Sequence, residues 1–189
     1  MKKLFLMSLP LFILYSSNAM AEPKAGFGIN IGGTANYMAS VYTVASATNA
    51  LNSTYNYKSS GATLGMDYQI IFPNNLTLNP FVSLSSESTD LAGQSGSIMG
   101  HSILGLQGRQ WMGDVFIGVH GALYTESLNN STGSSSASET GSGVGLAVGW
   151  EPSGSRFSIA LQGDSAQFKY SNQDVKLTGA RLIVGYRWK

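Results

Sequence analysis

His101-Ser102 and His120 are the residues whose types could supply a general base beside a hydroxyl nucleophile. Such a pair must come within hydrogen-bonding reach. Successive residues of a strand point to opposite faces, so His101 and Ser102 cannot act as a dyad. His120 falls on the inward face of its own strand. Two histidines without paired carboxylates, in a chain with no cysteine, make no metal centre. Gly26-Phe27-Gly28 and Gly141-Ser142-Gly143-Val144-Gly145 precede no helix, so neither is a phosphate loop. No catalytic, cofactor-binding or metal residue is assigned, and the chain is not expected to be an enzyme. What remains is a polar series: Asp67, Gln69, His101, Gln107, Arg109, His120, Gln162, Asp164, Arg181 and Arg187. If one fold gathers these side chains, they form either a polar plug or the lining of a gated pore. An unpaired charge in a low-dielectric interior is costly, which favours the internally paired plug.

The elements that must position this series alternate with period two. In 62–72, Ala62, Leu64, Met66, Tyr68, Ile70 and Phe72 share one face, while Thr63, Gly65, Asp67 and Gln69 take the other. The same split recurs in Phe27–Tyr37, Val115–Tyr124, Gly143–Trp150, Arg156–Gln162 and Gly179–Trp188. Segments at about 76–85 and 98–111 alternate less cleanly, Ile103 breaking the phase of Leu104 and Leu106. Eight strands result. Pro73-Asn74-Asn75, Met112-Gly113-Asp114 and Pro152-Ser153-Gly154 are tight-turn sequences. Longer polar connections are expected at about 43–58, 86–97 and 125–142, with a short one at 171–175. Tight and long connections therefore lie at opposite ends of the strands.

Composition says what surrounds them. Charged residues make up only 11% of the 189-residue chain, well under the roughly 25% of soluble domains. With 11 Lys+Arg against 10 Asp+Glu there is no basic excess for nucleic acid. Lys2-Lys3, the apolar run Leu4–Tyr15 and Ala19-Met20-Ala21 have the anatomy of a signal peptide cut after Ala21. The run rises only about 18 Å as a helix, too short for a hydrocarbon core of about 30 Å. Residues 1–21 are thus expected to be removed and 22–189 to form one exported domain.

A soluble sandwich also alternates, but its polar face is rich in Lys and Glu. Here the polar face is mostly Gly, Ser, Thr, Asn, Gln and Ala, which suits the crowded lumen of a narrow barrel. The apolar face carries no charge, and a charge there would cost about 2–4 kcal/mol at a bilayer midplane. Aromatic residues gather near both strand ends. Phe27, Phe72, Phe81, Trp111, Trp150, Phe157, Tyr186 and Trp188 lie toward the tight turns, and Tyr37, Tyr42, Tyr55, Tyr57, Tyr124, Phe168 and Tyr170 toward the long connections. Two such belts match the interfacial girdles of transmembrane barrels. The expected fold is all-β, an eight-stranded antiparallel up-and-down transmembrane β-barrel.

With the terminal run Arg181-Leu182-Ile183-Val184-Gly185-Tyr186-Arg187-Trp188, the chain resembles the small bacterial outer-membrane β-barrel proteins. These include the OmpA-type transmembrane domain and the OmpX/Ail-type barrels. The resemblance implies an outer-membrane location, with outer-membrane lipid and lipopolysaccharide as surroundings. It implies that the barrel-assembly machinery reads Tyr186 and Trp188, although Lys189 follows the aromatic that ordinarily ends such chains. It also implies a structural or surface-interaction role without cofactors, an extracellular ligand meeting the loops around Tyr55, Tyr57 and Lys58 or 126–142. A small porin is the first alternative, and a lipid-modifying enzyme using the histidines is the second.

Overall fold

The computed structural model describes residues 23–46, 49–91, 94–129, 136–170 and 173–188. The expected signal peptide lies outside the described residues. Eight strands run as β1 (Gly26–Ser46), β2 (Asn49–Phe72), β3 (Leu76–Leu91), β4 (Gln94–Met112), β5 (Val115–Asn129), β6 (Ser136–Trp150), β7 (Phe157–Tyr170) and β8 (Gln173–Arg187). Each pairs antiparallel with the next, and β1 pairs with β8, so the sheet closes into an up-and-down barrel. Closure removes the unpaired edges that an open sheet would carry.

Local chemistry fixes the turns. Asn74 and Asn75 adopt φ of 64° and 58° between β2 and β3, a left-handed geometry that Asn tolerates. Gly113 (φ 66°) joins β4 to β5, and Gly154 (φ 79°) lies between β6 and β7. At one point the ladder itself fails. β2 and β3 pair at Asp67–Phe81 and again at Ile70–Leu78, but not between, where Pro80 has no N–H to donate. The Asn79 amide spans this gap, donating to Asp67 Oδ2 at 2.9 Å and Gln69 Oε1 at 3.0 Å.

The barrel is inside out relative to a water-soluble protein. Outward positions carry Ile31, Leu64, Leu104, Leu123, Val144, Leu146, Leu161 and Leu182, all exposed, with Val144 and Leu146 reaching 65%. Inward positions carry Asp67, Gln69, Thr77, Asn79, Glu87 and Gln107, all buried. Monomeric soluble proteins rarely expose apolar patches beyond a few hundred Å². Here the patch is a belt around the wall, covering Phe27–Tyr37 on β1 and Val115–Leu123 on β5, about the ten residues a tilted strand needs to cross hydrocarbon.

Two sequence expectations are corrected. Most of the stretches expected as long connections are strand. β1 and β2 stay paired to Ser46–Asn49, β3 and β4 to Leu91–Gln94, β5 and β6 to Asn129–Ser136, and β8 starts within 171–175. Tyr55 and Tyr57, expected on a loop, lie in β2 opposite Ser40 and Met38. Above the belt the outward residues become Ser86, Ser88, Ser138 and Thr140, so hydropathy loses its contrast while the backbone ladder continues. The aromatic belts are also revised. Phe27, Phe72, Trp150, Phe157 and Trp188 are exposed at the turn end, but Trp111, Tyr124 and Phe168 are buried in the lumen and Phe81 is half-buried against the inner cluster. Inward phase overrode position along the strand. Toward the hairpin end only Tyr37 is an exposed aromatic among residues with described side chains.

Candidate functional site: the packed lumen

Each expected lumen residue stands on an inward register position. All are buried except Arg109, which is partly exposed. They assemble around carboxylates at successive heights.

Nearest the turns, Asp67 accepts from Arg187 Nη2 at 2.8 Å, Asn30 at 3.0 Å and Asn79 at 2.9 Å, with Arg109 Nη2 at 4.0 Å. Arg109 also donates to Gln107 at 2.6 Å and to Gln69 at 3.2 Å, and its guanidinium lies 4.5 Å from the centre of the Phe116 ring. Gln69 donates to the Lys24 carbonyl at 3.0 Å, which ties the chain before β1 to the neighbouring β2. Trp111 donates its indole N–H to Thr77 at 3.0 Å and packs on Phe116.

At mid-height Asp164 is held by four partners. Arg181 donates from Nε and Nη2 at 2.9 Å each, Tyr124 from its hydroxyl at 2.8 Å, and His120 Nε2 lies at 2.8 Å. Gln162 bridges His120 and Asp164. A third carboxylate, Glu87, accepts from Asn36, Ser59, Ser85 and His101, the last at 3.1 Å. His101 is thus paired with Glu87 and faces inward, whereas Ser102 is on the opposite face.

Above Asp164 the β7–β8 side of the lumen turns apolar, with Ile103, Tyr124, Ala166, Phe168, Val175 and Leu177 forming one buried cluster. Two small cavities are found among the described residues of the lumen. One of about 50 Å³ is lined by Asp67, Gln107, Arg109 and Arg181. The other, of about 10 Å³, is lined by Glu87, His101, Asp164 and Arg181. A water needs about 10–15 Å³ of such volume, so these two spaces have room for a few molecules. Arg181 lines both and stands between them.

The packing depends on side-chain size across β5 and β6. Phe116, His120 and Tyr124 on β5 pair in register with Gly149, Gly145 and Gly141 on β6. A Cβ at Gly149 would strike the Phe116 ring, and one at Gly145 the His120 ring. The glycines of β6 make the room that the aromatic side chains of β5 fill.

No family model matches the chain, and no curated protein is similar to it in sequence. Solved structures do match. Ail, the attachment invasion locus protein of Yersinia pestis, superposes with TM-score 0.52 at 14% identity, covering 88% of this chain and 100% of that one. Neisserial surface protein A superposes with TM-score 0.50 at 10% identity, covering 85% and 97%. The chain has the fold of a small outer-membrane β-barrel. At these identities the likeness concerns the backbone, and the lumen network must be read from this chain's own residues.

Sequence reasoning missed Glu87, Asn36, Asn79, Trp111 and Tyr124 as parts of this network. The sequence places Glu87 in the connection at about 86–97 because Ser86 and Ser88 flank it without apolar contrast. Its inward phase was nonetheless readable by counting on from Ser83 and Ser85. The C-terminal pair stands at the turn end, Trp188 stacked 5.9 Å from Phe27 and Tyr186 edge-on to Phe157 at 5.1 Å.

Proposed function

We propose that the chain is an integral protein of the bacterial outer membrane whose lumen is a structural plug and whose role is envelope integrity or presentation of its long-hairpin end to external surfaces. One observation carries this reading: an uncharged apolar belt encloses an interior in which Asp67, Glu87 and Asp164 are each met by cations or hydrogen-bond donors. Water could not solvate that exterior, and hydrocarbon could not accept that interior. Lipid and lipopolysaccharide are then its surroundings, and the strand ending Tyr186-Arg187-Trp188 is its signal to the barrel-assembly machinery.

The plug is favoured over the porin because the Arg181–Asp164 pair separates the two small cavities and an apolar cluster lies beyond it. Apolar constrictions resist wetting and close a pore to ions. The enzyme alternative loses support because His101 and Ser102 stand on opposite faces while His120 is committed to Asp164. Reconstitution into planar bilayers tests the plug. Steady conductance is expected to be absent, and large persistent openings at modest voltage would overturn it.

A further inference from the structure

The basic residues are spread unevenly over this barrel. Arg109, Arg181 and Arg187 are in the lumen, and Lys24 and Arg156 are at the turn end. The other lysines with described side chains, Lys58, Lys169 and Lys176, are all exposed and all point outward where the apolar belt ends on the hairpin side. They stand on contiguous strands, since Lys176 pairs with Gln167 of β7 and Ala39 of β1, and Tyr37 of β1 pairs with Lys58 of β2. The registers set Lys176 two residues and Lys169 four residues beyond the level of Tyr37 and Lys58, so at about 4.8 Å per strand and about 3.4 Å per residue Lys58 and Lys176 stand roughly 12 Å apart and Lys169 roughly 20 Å from Lys58. On β3 to β6 the outward positions beyond the belt, among residues with described side chains, are uncharged, among them Ser86, Ser88, Ser138 and Thr140.

Lysines at a membrane border anchor by reaching into the headgroups, and that service works equally well all round a barrel. Confinement to β7, β8, β1 and β2 makes a one-sided cationic face instead. The wall beside it is recessed. An open concavity of about 710 Å³ lies between Tyr37 and Lys58 over small residues, Ala35, Ser60, Thr178 and Ala180. A second of the same volume borders Lys176. The one acid with a described side chain on this outer face, Asp174, stands opposite Lys169 in register and lines the second concavity beside Lys176, which leaves Lys58 over the first concavity as the least compensated of the three.

We propose that this outer wall binds the phosphate groups of a phosphorylated lipid headgroup in the leaflet around the hairpin end. Lys58 contacts phosphate over the first recess, Lys176 and Lys169 add charge, and Tyr37 packs against the headgroup above the recess. The site rests on the membrane-embedded reading given above.

The test uses protein refolded into phosphatidylcholine vesicles doped with bis-phosphorylated lipid A, or with the same lipid A stripped of phosphate, and measures lipid binding by native mass spectrometry. Preference for the phosphorylated form is expected, weakening with salt and falling roughly fivefold for Lys58→Gln, less for Lys169→Gln or Lys176→Gln and most for the triple variant, with Arg156→Gln as the unchanged control. Equal binding by the wild type and the triple variant, or indifference to phosphate, would overturn it. Gel migration of unheated samples accompanies each measurement. A sample that is folded but indifferent to the lysines sinks only this site, whereas one that never becomes heat-modifiable sinks the barrel reading beneath it. If the triple variant does not insert, Lys58→Gln alone and the wild-type salt titration decide.

Discussion

Arg181 meets Asp164 through two parallel hydrogen bonds, Nε to Oδ2 and Nη2 to Oδ1, each 2.9 Å long and both buried. The pair ties β8 to β7 at mid-lumen, and the Arg181 Nη1 contact with Ser83 reaches across to β3. Removing one partner leaves the other desolvated and uncompensated. Asp164→Asn is expected to destabilise the barrel by about 3–5 kcal/mol, read as a lower urea midpoint for unfolding in detergent. Replacing both, Asp164→Leu with Arg181→Met, is expected to cost less than Asp164→Asn alone. A double variant weaker than that single variant would contradict this account of the pair.

Side-chain size across the β5–β6 ladder makes a second prediction. Gly145 is opposite His120, and a methyl there would meet both that ring and the Gly163 carbonyl. Gly145→Ala is expected to lose about 1–3 kcal/mol through overpacking. Gly121 faces outward, with nothing within 4 Å of an added Cβ. Gly121→Ala is expected to be neutral or to gain about 0.5 kcal/mol by restricting the unfolded chain. Equal effects of the two substitutions in thermal unfolding would refute the inward and outward assignment of these positions.

pH dependence should arise at the turn end. Glu151 follows β6, is buried, and has no hydrogen-bond partner at Oε2. Burial raises its carboxyl above the usual range, against the opposing pull of Arg187, Lys24 and Arg109. The folded state therefore holds this proton more tightly than the unfolded chain does. Its contribution to stability is complete below the ordinary carboxylate value and is lost as pH rises through the folded value. Glu151→Gln should remove that slope and raise the urea midpoint at pH 7, while the two proteins converge near pH 4. A midpoint at pH 7 that falls on substitution would show that the three cations outweigh burial.

Fold and site were legible in the sequence to different depths. Wherever Leu, Ile or Val faced Gly, Ser or Asp, as in Leu64-Gly65-Met66-Asp67, period two gave strand, face and lumen residue together. Where Ser faced Ser, as around Glu87, the pattern vanished although the ladder did not, because hydropathy records the solvent on each face and not the backbone pairing. The lumen aromatics were misplaced for another reason. Trp111 and Tyr124 sit near strand ends, where girdle residues also sit, and only their inward phase distinguishes a plug from a belt. Pairing partners such as Glu87 and His101 join positions on different strands through a stagger that no single strand encodes.

The exterior makes a prediction of its own. Leu146 is 65% exposed on the wall, so in water Leu146→Arg would be nearly free. In a bilayer the same change is expected to cost about 2–4 kcal/mol at mid-depth and much less near the border. Comparing Leu146→Arg with Thr178→Arg, level with Tyr37 at the belt's border, in refolding from urea into vesicles reads the difference. Equal stabilities would mean that lipid does not contact Leu146.

The central claim, that this chain is a closed barrel embedded in the outer membrane, meets its most direct test in gel migration of the membrane fraction. The protein should resist carbonate extraction and run faster unheated than boiled, because the closed hydrogen-bonded wall survives detergent until heat opens it. A chain released by carbonate that migrates identically before and after boiling would contradict the account.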